Sequence, residues 1–112
     1  MNIQIFGTKK SFDTKKAERY FKERRIKYQF IDMKEKGMSK GEFTSVKSAV
    51  GVANLIDEKS KGYSKSNLTN VRSLDVKAEI LFKDQSLIKL PIVRNGKKAT
   101  AGYMPDVWQE WD

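Results

Sequence analysis

The sequence predicts an α/β fold: a βαβ opening, a helical stretch, a β-hairpin and a last helix, all within one domain. Three observations predict it. A short β-favouring run at residues 3–6 gives way to helical spacing from Ser11, and a second β-favouring run follows at Tyr28, Phe30 and Ile31. An Asn95-Gly96 pair sits between two short strand-like runs, the strongest local hairpin signal in the chain. At 112 residues the chain has the size of a single compact core, and it carries no internal repeat or linker.

Ile3, Ile5 and Phe6 favour an extended strand that stops at Gly7, which places strand one at about residues 2–6. Helix one is predicted over about 12–25. Ala17, Tyr20, Phe21 and the stem of Arg24 share one arc of it, and Lys15, Lys16, Arg19 and Lys22 share the facing arc. Ser11 suits the N-cap, and Asp13 complements the positive end of the helix dipole. Strand two, at Tyr28, Phe30 and Ile31, is parallel to strand one if the helix crosses over between them. Ser39 followed by Glu42 is a capping-box pattern, with Phe43, Val46 and Val50 at helical spacing behind it and Gly51 as the stop. Residues 52–70 contain Gly62, several Ser and Asn and few large apolar side chains, so short helical turns and loops are expected there. Leu74, Ala78, Leu81 and Phe82 mark a further helix. Pro91 opens the first hairpin strand, and Met104, Val107, Trp108 and Trp111 predict a last amphipathic helix over residues 103–112.

Composition excludes whole classes of function. The chain has no cysteine and no histidine, which removes disulfides, thiolate nucleophiles, thiolate or imidazole metal ligands and the usual general base. Twelve aromatic residues argue against disorder, and there is no apolar run long enough to span a bilayer. The first residues lack the basic start and apolar stretch of a signal peptide, so a cytoplasmic protein is expected. Net charge is +9, and residues 1–40 carry +7 of it, from twelve Lys/Arg against five Asp/Glu. That concentration can attract phosphate or an acidic partner. Direct nucleic-acid binding is not expected, because no binding motif is present and the aromatics fall mostly at core-like spacing.

The order of elements, with a Pro at the start of the hairpin, reads as a thioredoxin-like fold. Residues 3–17, reading IQIFGTKKSFDTKKA, resemble the opening segment of the arsenate reductase (ArsC)/Spx-like family. Leu87-Ile88-Lys89-Leu90-Pro91-Ile92-Val93, followed by Gly96-Lys97 and Gly102-Tyr103, resembles that family's ending. The likeness covers nearly the whole chain. It implies a single domain over 1–112 with a helical insertion at about 36–85, a glutaredoxin-like mixed sheet, a strand at about 91–94 antiparallel to strand one, a cis Leu90-Pro91 bond, and Pro91 beside Ser11. It also implies thiol-dependent reduction as the family activity, an oxidoreductase function.

Departures from the family pattern bear on that activity. The family's nucleophilic Cys, and the second Cys found in Spx-type members, correspond to Ser11 and Thr14. Where arsenate reductases have an Arg just before the Pro, this chain has Leu90, preceded by Lys89, and a second family Arg corresponds to Lys59. Lysine keeps the charge but loses the bidentate grip on an oxyanion. Ser11 reads first as a helix cap, and also as a relic catalytic position or as an engineered replacement of Cys. Residues 7–14 could cradle a small oxyanion on backbone N–H groups, aided by Lys9 and Lys10, with an expected affinity near millimolar, about −4 kcal/mol. Asp57-Glu58 and Asp75 are not expected to share a cleft. Two functions follow: a redox-inactive binding or regulatory module, or an oxidoreductase-like enzyme using Ser11, Thr14, Lys10 and an external thiol. No cofactor or metal is expected. The expected partner is a small oxyanion or an acidic protein, Spx-like relatives being binders of RNA polymerase. A monomer away from the membrane is expected.

Overall fold

The computed structural model describes residues 1–111. β1 (Ile3–Gly7), α1 (Phe12–Glu23) and β2 (Tyr28–Asp32) form the βαβ opening, with β1 and β2 parallel and Ile5 opposite Phe30. Between β2 and the hairpin lie α2 (Lys40–Val50), α3 (Val52–Leu55), a 3-10 turn at Asn67–Thr69, α4 (Leu74–Lys83) and a second 3-10 turn at Gln85–Leu87. The chain closes with β3 (Ile92–Asn95), β4 (Lys98–Ala101) and α5 (Pro105–Trp108). The sheet order is β2-β1-β3-β4, with β3 antiparallel to both β1 and β4, so the sheet is mixed as expected. The Leu90-Pro91 bond is cis, also as expected.

Strand alternation divides the core between the two faces of the sheet. Ile3, Ile5 and Val93 pack with Ala17, Tyr20 and Phe21 of α1 and with Trp108 and Trp111. Phe6 and Ile92 face the opposite way, onto Phe43, Val46, Leu55 and Leu81 of α2 to α4. Helix α1 buries Ala17, Tyr20 and Phe21 and leaves its lysine face exposed, as its spacing predicts; Thr14 is buried as well, and Arg24, expected on the same arc, is an exposed C-cap residue lying over the Tyr20 ring. Ser11 and Ser39 cap α1 and α2, and the Ser39–Glu42 capping box is complete.

Two local expectations shift. The hairpin turn is Gly96-Lys97 rather than Asn95-Gly96, because Asn95 pairs with Lys98 in the ladder and its Oδ1 accepts the Asn2 N–H at 3.3 Å. Gly96 takes φ +62° at the first central position, a conformation that costs glycine little. The last helix is a single turn, not the whole of residues 103–112. Pro105 starts it, leaving Met104 as its N-cap, and 3-10-type bonds from the Glu110 and Trp111 N–H groups to the Val107 and Trp108 carbonyls tighten the chain so that Trp111 is buried. Asp112 lies outside the described residues. Among the described residues, no helix is long and apolar enough to cross a membrane.

Candidate functional site

Helix α1 begins at the C-terminal end of β1, so Ser11 stands at the carboxyl edge of the sheet, where α/β folds place their ligands. Ser11 Oγ accepts the Thr14 N–H at 3.1 Å, satisfying one of the helix's free N-terminal donors. A cleft of about 570 Å³ opens beside it, bounded by Ser11, Asp13, Asp57, Lys59, Lys89 and Leu90 among others.

A β-bridge between Ile56 and Ile88 assembles the far wall of this cleft. The Asp57 N–H donates to the Leu87 carbonyl at 2.9 Å and the Lys89 N–H to the Leu55 carbonyl at 2.7 Å. Buried Leu55, Leu87 and Ile88 anchor both strands of the bridge to the core. Residues 57–59 are thereby held against residues 86–90, and Asp57 Oδ1 accepts the Lys59 N–H at 3.1 Å, fixing the turn that presents Lys59. Asp57-Glu58 and Asp75 share no cleft, as expected, since Asp75 lines a separate groove between α2 and α4; sequence reasoning did not foresee that Asp57 and Glu58 reach the Ser11 cleft. The only signal that could have found them is the pair of apolar residues, Ile56 and Ile88, that closes the bridge.

The remaining candidates divide. Lys59 lines the cleft, whereas Lys9 and Lys10 are exposed on the turn before α1 and are not among its lining residues. Thr14 is fully buried, and its Oγ1 has no hydrogen-bond partner. It lies so close to Gly7 that a Cβ at that glycine would overlap it, so its side chain is shut away from any cleft ligand. Pro91 is buried and is not among the cleft's lining residues, although its neighbour Leu90 is, and the Pro91 carbonyl accepts the Gly102 N–H at 2.9 Å. The charged residues around the cleft are Asp13, Asp57 and Glu58 against Lys59 and Lys89, a net charge of −1. Such a rim offers an anion no net positive charge.

The sequence model of the ArsC family matches residues 6–111. The chain belongs to the ArsC family. Its fold is thioredoxin-like and is shared with solved structures of ArsC-related proteins. Arsenate reductase from Vibrio cholerae superposes with a TM-score of 0.84 at 23% identity, covering 98% of this chain and 97% of that one. An ArsC-family-related protein from Bacteroides fragilis gives 0.86 at 17% identity, over 100% and 98%. A Staphylococcus aureus COL protein, SACOL0876, gives 0.81 at 28% identity, over 97% and 98%. No curated protein matches the sequence. In this ArsC-family chain the helix-capping position beside the cleft holds a hydroxyl, and the 112 residues contain no sulfur nucleophile.

Proposed function

We propose that this ArsC-family chain is redox-inactive and acts as a binding or regulatory module on a thioredoxin-like scaffold. Family membership ties it to arsenate reductase-type redox chemistry at the level of the family. The observation that carries the proposal is Ser11: it stands at the N-cap, its Oγ is engaged by the Thr14 N–H, and no cysteine or histidine exists in the chain to replace or activate it. Disulfide and arsenate reduction both need a thiolate nucleophile, and a serine alkoxide is out of reach without a general base. Turnover of arsenate or of a disulfide, assayed in the absence of glutaredoxin and thioredoxin, is expected to equal the no-protein control. Turnover above it overturns the reading.

A second reading keeps the enzyme, with a Cys native at position 11. It is favoured by the placement of Ser11 and Lys59 on one cleft. The codon at position 11 of the source gene separates the two. Substitution Ser11→Cys tests the cleft itself: Leu90 and Lys59 offer no bidentate Arg grip, so the thiol variant is expected to alkylate without reducing arsenate. A small oxyanion in the cleft is expected to bind no tighter than millimolar, given three carboxylates against two lysines on its rim, and NMR titration with arsenate measures it.

A further inference from the structure

Residues 9–27 hold nine Lys/Arg against three Asp/Glu, a balance of +6 out of +9 for the whole chain. Two of those three carboxylates already have partners. Glu23 pairs with Arg19 Nε at 2.7 Å, the one ion pair among the described residues, and Glu18 accepts the Tyr28 hydroxyl at 3.0 Å. Beside this cationic face, a groove of about 440 Å³ runs between α1 and residues 103–105, well apart from the Ser11 cleft in its lining. Tyr20, Tyr103 and Pro105 supply its apolar surface, while Lys16, Arg19 and Arg24 rim it. Lys16 Nζ lies 5.6 Å from the Tyr103 ring centroid and the Arg24 guanidinium 3.7 Å from that of Tyr20, so both cations are held over the groove by aromatic faces rather than by carboxylates.

We propose that this groove docks an acidic peptide segment of a protein partner, its carboxylates at Lys16 and Arg24 and an apolar side chain against Tyr103 and Pro105. The inference rests on the binding-module reading and gives that module a surface. Charge complementarity selects the occupant: with Arg19 and Glu23 paired to each other, Lys16 and Arg24 leave a net charge of +2 over an apolar floor. The alternative polyanion, a single-stranded nucleic acid, needs open aromatic faces on which bases stack. Here the groove offers a single exposed ring, Tyr103 at 40% exposure, because Tyr20 is buried at 6%, so successive bases have no run of faces to stack on.

The test is an amide-shift titration of the isotopically labelled full chain with a short Glu-rich peptide containing one central Phe. A Lys-rich peptide with the same Phe and an oligothymidylate of matched charge serve as the other probes. Shifts centred on Lys16, Tyr20, Arg24 and Tyr103, with affinity falling as salt rises, are expected for the acidic peptide alone. Lys16→Glu is expected to weaken it about tenfold or more and Lys16→Gln by less, since a like charge at an interface costs more than a lost one. Lys16 is exposed, and the amide spectrum of each variant reports its fold. Absence of shifts, shifts centred elsewhere, equal binding of the Lys-rich peptide, or tighter binding of oligothymidylate each overturn the proposal. The turnover assay is unaffected by any of these results, so failure of the groove and failure of the redox-inactive reading are distinguishable.

Discussion

Trp108 Nε1 donates a hydrogen bond to Thr100 Oγ1 at 2.8 Å, and both side chains are buried, at 3% and 6% exposure. The bond ties the single-turn α5 to strand β4 across 8 residues of chain and satisfies an indole N–H that has no water to turn to. Around it, the Trp108 ring meets Tyr20 and Phe21 with centroids 5.2 Å away in each case, so the terminal segment is fastened to α1 by aromatic packing as well. Replacing Thr100 by Val keeps the shape and strands the donor. Urea denaturation is expected to show a loss of about 1–3 kcal/mol, and Thr100→Ser a much smaller one.

Gly7 and Thr14 form a second close pair. Gly7→Ala would drive a Cβ into the Thr14 hydroxyl and methyl at the junction of β1 and α1. A cost of about 1–3 kcal/mol is expected, typical of an overpacked core. Adding Thr14→Ala removes the overlapping atoms, so the double variant should be more stable than the sum of the two single costs predicts. A denaturant-based double-mutant cycle measures that coupling, and strict additivity would count against the contact.

Ser11 is engaged as a cap whatever else it does. Ser11→Ala leaves the Thr14 N–H without its acceptor and is expected to cost about 1 kcal/mol, while Ser11→Asp should hold or raise stability by adding a charge that suits the helix dipole. Thermal melts of the two variants check the order. An alanine variant as stable as the parent would mean that the cap contributes nothing.

Tyr28 ionises late. Burial, then its hydrogen bond to Glu18 and the carboxylate's charge, push its phenol up to about 12 from the ordinary 10.0. A raised acid in the folded state means that the folded chain retains a proton the unfolded chain releases. The stability this group contributes is therefore complete below pH 10.0 and is lost as pH climbs toward about 12. Ultraviolet titration of the 4 tyrosines should show a late phenol that disappears in Tyr28→Phe and moves down in Glu18→Gln.

Short-range pattern determined much of this protein. The apolar arc of Ala17, Tyr20 and Phe21, the Ser11 and Ser39 caps, and the β-favouring runs around Ile5 and Phe30 are each set by residues within a few positions of one another. Local sterics and hydrogen bonding are enough to specify them. The absence of Cys and His likewise removed whole chemistries before any coordinate was needed. What tertiary structure alone decided are the long-range meetings. The Ile56–Ile88 bridge carries Asp57, Glu58 and Lys59 to Ser11, and the return of residues 103–105 against α1 opens a cationic groove. Thr14, polar and next to a capping site in sequence, ends sealed beneath Gly7 because strand β1 passes directly over it. Each of these depends on which buried side chains from distant parts of the chain pack together. That choice is made by the whole core at once, and no local pattern of spacing records it.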